Sequence, residues 1–472
     1  MRRTLAALTA SCLLAGCALG PKYERPAVKP PAAYRGAVGP ARAASIADLP
    51  WWDVFRDEGL SKLVRESLRG NLELEAAAAR VDEARAQAAI ARSELFPTVS
   101  YTGGFQRTKG SFSFSQPVAT GSTANAFFGA LNASWEIDLW GRIRRTSEAG
   151  RAQLYATEAA RRGVLLSLVS DVSAAWILLR ELDEELMIAR RTVESFRKTL
   201  DIFQRQYEGG VASKLAPARA EAALADVAAT VPALEARIAA QENLIRVLLG
   251  RNPGPLPRSA PAGPVRTPPE IPPGIPAALL ERRPDVRQAE ETLVAANALV
   301  GAAIAEFLPR IGLTSFYGQA STELSAINNA GSNLWSLATT FSGPLVSGGR
   351  LYQQYKARKA QFEQARAAYE QTVLQAFREV SDALLDYRKS AEIERERERA
   401  VKALGEAVDL AQVRFLSGLS GYYEVLDAQQ QLFPSEIALA QTRSQRLLAV
   451  VRLYKALGGG WRLSVEETGA KP

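Results

Sequence analysis

The chain has 472 residues, 47% hydrophobic and 23% charged, with a formal net charge of +8. It contains no histidine and only two cysteines, so the residues of most catalytic and metal sites are nearly absent. Its lysines and arginines alternate with acids, as at residues 392–402, which indicates a solvated helix face rather than a nucleic-acid-binding stripe. We therefore expect no enzyme, no metal site, no cofactor and no nucleic-acid partner.

The N-terminus has the pattern of a bacterial lipoprotein signal. Basic residues Arg2 and Arg3 precede an apolar run too short to span a bilayer, which ends in Leu-Ala-Gly-Cys at residues 14–17. This sequence resembles a lipobox, which implies that residues 1–16 are removed and that Cys17 carries S-diacylglycerol and N-palmitoyl groups. A free cysteine behind an ordinary signal peptide is the alternative. Ala18 after the cysteine resembles outer-membrane sorting, and residues 17–50 form a proline-rich, extended leader.

Residues 51–250 are predicted to form a helix, a strand pair at 97–139 and a long helical hairpin. The second strand alternates apolar and polar residues with period two, and Trp135 and Trp140 suit a membrane-interface girdle. Four strands in the whole chain cannot close a barrel, and a membrane excludes open sheet edges. The strands therefore predict a barrel shared by identical chains, with the edge of a soluble β-sandwich as the alternative.

Long helices follow each strand pair. No proline occurs from residue 141 to 208 or from 349 to 416, which predicts roughly 100 Å of continuous helix in each case. Glycines near residues 210 and 418 end these helices. A proline-rich connector, residues 251–276, separates the two halves of the chain.

The two halves are copies of one unit. Residues 93–105 match residues 305–317 at an offset of 212, and Gly210 matches Gly418 at an offset of 208. The second unit is therefore predicted at residues 277–460, with a strand pair at 309–345 and a hairpin turn near 418. Residues 461–472 form a C-terminal tail.

Several short motifs occur in order along nearly the whole chain. They are LAGC, PKYERP (21–26), WWDVFRDEGLSKLV (51–64), FPTVS, SWEIDLWGR, ERRPDVRQAE (281–290), GPLVSGGR (343–350) and YYEVLDAQQQLF. Together with the duplication, they resemble the TolC/OprM-type outer membrane factors, in the lipoprotein or NodT-like branch. The resemblance implies a mainly α protein with a transmembrane β-barrel part. Four strands from each chain of a homotrimer would form a 12-stranded barrel, continued by a long periplasmic α-helical barrel.

The resemblance also implies a function in tripartite efflux. The chain would be a passive exit duct for drugs, solvents or other small toxic compounds, anchored by its lipid on the periplasmic side of a Gram-negative outer membrane. A periplasmic adaptor and an inner-membrane pump, of the RND type, would be its partners. The alternatives are a type I protein-secretion duct of the same fold, a periplasmic adaptor lipoprotein and an exported enzyme.

The turn after Gly418 is the predicted gate. By the resemblance, Tyr423 takes an apolar ring position, Asp427 the inner acidic position and Glu424 a second acidic position, with Tyr422 or Tyr423 as an aromatic plug. The alternative is that these acids only favour the start of a helix, where the dipole is positive.

Two further features concern the tips of the hairpins. Gly210 and Gly418 mark the turns that are expected to contact the adaptor. The polar latch of some relatives is missing, because Phe415, Ser420 and Ala216 occupy its positions. The sequence alone therefore does not identify the contacts that hold the gate closed.

Overall fold

The structure is a computed structural model that describes residues 18–36, 55, 57–109, 123–257 and 276–459. These residues form two compact units. The sheet unit contains the described parts of residues 18–27, 80–158 and 288–370. The helical unit contains the described parts of residues 28–79, 159–287 and 371–459. Cys17, the predicted lipid-attachment residue, lies outside the described residues.

Helices dominate the described chain, and the strands occur in two antiparallel pairs. In chain order the elements are α1 (Glu58–Gly70), α2 (Leu72–Ser93), β1 (Thr98–Lys109), β2 (Thr123–Ile137), α3 (Arg142–Glu208), α4 (Leu215–Leu248), α5 (Pro276–Arg282), α6 (Pro284–Ala305), β3 (Arg310–Ser321), β4 (Asn333–Ser342), α7 (Arg350–Leu416) and α8 (Tyr422–Ala456).

The duplication predicted from the sequence is confirmed by the lengths of these elements. Helices α2 and α6 have 22 residues each, and helices α3 and α7 have 67 residues each. At 1.5 Å per residue, each of the longer helices measures about 100 Å. Gly141 and Gly349 precede α3 and α7 with φ of 81° and 80°, so both long helices start from the same left-handed backbone conformation.

One stretch of α3 has the length and composition of a membrane span. It is an 18-residue apolar window, and 56% of it is buried inside the protein. Burial of this kind is typical of a core helix, because neighbouring helices already cover the apolar side chains.

The sheet unit contains a four-stranded antiparallel sheet in the order β1-β2-β3-β4. Its register places Tyr101, Leu131, Tyr317 and Trp335 in one row across all four strands. Because side chains alternate between faces along a strand, this row determines which face each remaining strand residue occupies. Ile311, Leu337 and the other predicted apolar positions fall on the face of this row.

This apolar face is exposed in the single chain. Tyr101 is 86% exposed, Trp335 is 77% exposed and Phe341 is 72% exposed. The opposite face is mainly polar, and there the Asn132 Nδ2 donates to Thr102 Oγ1 at 2.9 Å. A sheet with one large apolar face that the described residues leave uncovered is matched to a hydrocarbon environment.

The ERRPDV motif at residues 281–286 forms an ion network around the buried Arg283 in the helical unit. Arg283, only 7% exposed, donates to Asp285 Oδ1 at 2.9 Å and to Glu379 Oε2 at 2.7 Å. It also donates to the carbonyl of Ala456 at 3.1 Å. The motif therefore joins the start of α6 to α7 and to the end of α8. Burial opposes ionisation of Asp285, yet hydrogen bonding and the charge of Arg283 outweigh it and hold the pKa of Asp285 below its usual range.

We predict that Arg283→Ala lowers the free energy of unfolding by about 1.5–3 kcal/mol, because it removes a buried guanidinium that donates hydrogen bonds to two half-exposed carboxylates and to a carbonyl. Urea denaturation of the detergent-solubilised protein measures this loss. The advantage of the wild type should shrink as the pH falls below about 4, where the carboxylates of the unfolded chain become protonated and the lowered pKa of Asp285 is approached. Arg287→Ala, which removes an exposed arginine from the same helix, is the control; an equal loss in both variants would contradict the network.

Candidate functional site

The two hairpin turns of the helical unit have the same backbone geometry. Gly210 and Gly418 both have φ of 73°. The N–H of Val211 donates to the Gln206 carbonyl and the N–H of Leu419 donates to the Arg414 carbonyl, each at 2.9 Å. This is the Schellman pattern, which ends a helix with a glycine in the left-handed region. The glycines are required for their conformation, because an added Cβ would meet no atom within 4 Å at either position.

Both turns carry exposed apolar side chains. Val211 and Leu215 lie at the α3–α4 turn, while Leu416 and Leu419 lie at the α7–α8 turn, and all four are more than half exposed. A Schellman turn commonly packs such a residue against its own helix. Here the side chains are left uncovered, and an uncovered apolar cluster is typical of a contact surface.

Helix α8 has one face that packs within the chain at the tip. Tyr422, Leu426 and Phe433 belong to a cluster with Phe196 of α3 and Val227 of α4. The spacing of these α8 residues keeps them on one stripe of the helix.

Tyr422 is a packing residue. Its ring centroid lies 3.7 Å from that of Phe203 and 6.1 Å from that of Phe415. Its hydroxyl is buried without a hydrogen-bond partner among the described residues, and burial raises the pKa of Tyr422 to about 12. Phe415, which stands in a latch position of some relatives, contributes instead to this aromatic cluster.

Tyr423 and Asp427 lie on a different stripe of α8. They are four residues apart, which places one above the other on the same face. Tyr423 is 67% exposed, and the half-buried Asp427 carboxylate accepts a hydrogen bond from Gln431 Nε2 at 2.7 Å. The structure thus separates the two tyrosines that the sequence offered as equal candidates for a plug, and leaves Tyr423 beside the acid.

Glu424 forms an ion pair with a residue that the sequence analysis missed. Its Oε2 lies 3.5 Å from Nε of Arg414 in the last turn of α7, and both side chains are about half exposed. A basic residue in a last helical turn was the available signal. The first-turn position of Glu424 also fits the simpler helix-start interpretation.

The other predicted latch positions contribute no polar link between hairpins. Ser420 has a buried hydroxyl without a hydrogen-bond partner in the described parts of the chain, and Ala216 is half-buried in the first turn of α4. Across those parts, no group of three or more His, Cys, Asp or Glu side chains could hold a metal ion.

The leader forms a strap along the sheet unit. The N–H of Leu19 donates to the Trp140 carbonyl at 3.1 Å, and Arg25 makes a bidentate pair with Glu290 of α6 at 2.6 and 2.7 Å. A Cβ on Gly141 would lie 2.6 Å from Cα of Ala18, so the chain passes close to the start of α3. The PKYERP motif is therefore a docking segment, and it begins four residues after Cys17.

Comparisons with known proteins cover nearly the whole chain. The family described as outer membrane efflux protein matches residues 63–251 and 275–459. The solvent efflux pump outer membrane protein SrpC of Pseudomonas putida is 34% identical over 461 residues, 96% of this chain and 97% of that protein. The outer membrane protein OprJ of Pseudomonas aeruginosa is 34% identical over 476 residues, 97% of this chain and 96% of that protein.

A solved structure, that of the outer-membrane channel OprN, has a TM-score of 0.87 and 32% identity. The matched region covers 94% of this chain and 100% of the OprN chain.

We predict that Tyr422→Phe leaves stability unchanged or raises it by about 1 kcal/mol, because it removes a buried hydroxyl without a partner. Tyr422→Ala should cost about 3–5 kcal/mol, because the ring packs against two phenylalanines. Thermal unfolding of the solubilised protein measures both. A Tyr422→Phe variant as unstable as Tyr422→Ala would show that the hydroxyl, and not the ring, holds the tip.

Proposed function

The chain belongs to the outer membrane efflux protein family, and from this membership we propose what it exports, how it closes and where it is anchored. It is an outer-membrane efflux channel and not an enzyme, and it functions as a trimer within a tripartite efflux system. The four-stranded sheet supplies one third of a barrel, and its outer strands β1 and β4 are the edges that neighbouring chains must pair.

The cargo proposed for this channel is a small organic compound, such as a solvent or an antibiotic. The observation that carries the proposal is the 34% identity with a protein named for solvent efflux, over 96% of this chain. The composition supports it, since a chain with no histidine and two methionines has few ligands for soft metal ions. The proposed partners are a periplasmic adaptor, which docks on the apolar tip residues around Gly210 and Gly418, and an RND-type pump.

Deleting the gene should sensitise the host at least about fourfold to solvents and antibiotics, and leave its tolerance of copper and silver unchanged. Growth inhibition across such a panel measures this. Complementation with the wild type should restore tolerance, whereas Val211→Glu with Leu419→Glu should fail because charges disrupt an apolar contact. Equal amounts of the wild-type protein and the double variant in the outer membrane exclude an assembly defect. Sensitivity to the metals alone would overturn the proposed cargo.

The proposed gate consists of Tyr423 and Asp427. They share one stripe of α8, which is more exposed than the packed stripe that contains Tyr422. Neither side chain forms an ion pair with a described residue. In a trimer, three copies of each side chain surround one axis, so the carboxylates repel one another and attract cations. Glu424 is proposed as an outer acid that Arg414 partly neutralises.

We predict that Asp427→Ala reduces the cation selectivity of single channels in planar bilayers and that Tyr423→Ala raises their conductance. The first removes the acidic ring and the second widens the constriction. Asp409→Ala, an exposed acid on α7, is the matched control and should change neither property. Wild-type conductance and selectivity in both gate variants would overturn the gate.

The proposed lipid anchor is Cys17. Ala18 and Leu19 lie against Gly141 and the Trp140 carbonyl, where the chain leaves the sheet for α3. An acylated cysteine directly before them would therefore enter the membrane beside the barrel, at the depth where interfacial tryptophans reside.

Intact-mass measurement of the protein from membranes should show the mature chain starting at Cys17 with three acyl chains. Cys17→Ser should lose that added mass and the incorporation of labelled palmitate. A mature wild-type chain with an unmodified cysteine would overturn the anchor.

A further inference from the structure

Two helices of the sheet unit enclose a groove lined by four arginines. Helix α2 contributes Arg85 and Arg92, and helix α3 contributes Arg144 and Arg151. On each helix the two arginines are seven residues apart, and smaller residues at the i+3 and i+4 positions lie between them. This spacing keeps all lining residues of a helix on one face. The groove therefore has a guanidinium at both ends of both of its walls.

The two walls of the groove differ between their arginines. Helix α2 lines this middle part with the apolar Ala88 and Ala89, helix α3 lines it with Ser147 and Glu148, and Leu95 lies beyond Arg92. The helices approach closely because Gly150 has no side chain, and a Cβ there would lie 3.3 Å from Cβ of Ala91. The cavity volume of about 670 Å³ corresponds to roughly twenty water molecules.

Two of the four arginines are not neutralised by an acid in the described chain. Arg85 pairs with Asp82 at 2.7 Å, and Arg144 pairs with Asp138 at 3.2 Å. Glu148, the acid that lines the groove, is held at 2.9 Å by Arg145, which lies outside the lining. No ion pair joins Arg92 or Arg151 to any described residue.

The groove lies just beyond the end of the membrane strands. Arg92 is six residues before the first residue of β1, and Arg144 is seven residues after the last residue of β2. Trp135 near the end of β2 donates its indole N–H to the Leu95 carbonyl at 3.0 Å, and Leu95 itself lines the groove. Interfacial tryptophans mark the level of the lipid head groups, and cations next to them meet the phosphates.

The strap passes close to the groove. Arg145, one residue from Arg144, donates to the Leu19 carbonyl at 3.0 Å and holds Glu148 of the lining. The groove and the leader thus occupy adjoining faces of the first turns of α3. The leader comes from the proposed lipid anchor, so this side of α3 is the side that meets lipid.

We propose that this groove binds the phosphate group of an anionic phospholipid from the periplasmic leaflet. Arg92 and Arg151 supply the free guanidiniums, which form charge-assisted, bidentate hydrogen bonds with phosphate oxygens. The apolar α2 wall of the groove, Ala88 and Ala89, accommodates the glycerol backbone, a feature that a site for free phosphate does not need. The inference rests on the outer-membrane assignment and adds a specific lipid contact to it.

The test is lipid binding to the full-length trimer purified in detergent, followed by native mass spectrometry. Titration with phosphatidylglycerol should fill up to three sites per trimer, and phosphatidylcholine should bind at least about tenfold more weakly because its choline is repelled. Arg92→Ala with Arg151→Ala should weaken phosphatidylglycerol binding at least about tenfold, the loss expected for charge-assisted hydrogen bonds. Arg151→Gln alone keeps the test usable if the double variant does not form trimers.

The matched control is Arg80→Ala with Arg219→Ala, which removes the same charge from exposed positions outside the groove. It should weaken binding less than about twofold; an equal loss in both pairs would overturn the site. Displacement of the lipid by 10 mM inorganic phosphate would overturn the lipid assignment in favour of a free-anion site. Single-channel conductance should stay normal in the double variant, which separates failure of this site from failure of the channel.

Discussion

The structure depends on one constraint, which is that backbone N–H and C=O groups cannot remain unpaired in hydrocarbon. The four strands pair with one another in the order β1-β2-β3-β4, and this leaves an unpaired edge on β1 and another on β4. Neither edge can face lipid, so the sheet is complete only when other chains close it. The symmetry that follows places every tip residue of the helical hairpins around one axis. The proposed gate, with one tyrosine and one acid from each chain, is a consequence of that closure.

The duplication explains how the chain builds two matching hairpins. In each half a 67-residue helix starts directly after one glycine in the left-handed region and ends two residues before another such glycine. The halves differ where symmetry is not required. The first strand and the long helix start 44 positions apart in the first half, at Thr98 and Arg142, and 40 positions apart in the second, at Arg310 and Arg350. Extra loop residues cost little free energy, whereas an error in strand register or helix length costs much more.

The sequence predicted features that follow from local chemistry. Period-two alternation identified the lipid-facing side of β2, and the glycine offset of 208 located both turns. It could not distinguish Tyr422 from Tyr423, since which stripe of α8 is packed depends on where Phe203 and Phe415 lie. The partners of Arg283 were equally out of reach, because Glu379 is 96 residues away in the chain. Spacing along one helix can be read from sequence, whereas contacts between helices depend on the assembled fold.

At the tip, tight aromatic packing between the hairpins lies next to a weak ion pair on the surface. The aromatic cluster around Tyr422 ties α3 to the α7–α8 turn through ring contacts, which favours movement of the two hairpins as one body. The ion pair between Glu424 and Arg414 at the tip is half exposed. Such pairs contribute about 0–1 kcal/mol to stability. With no histidine in the chain, no imidazole can switch the tip between pH 5 and 8. In the proposed gate, a closed state held by such a pair needs only a modest difference in affinity between states for a partner at the apolar tip to open it.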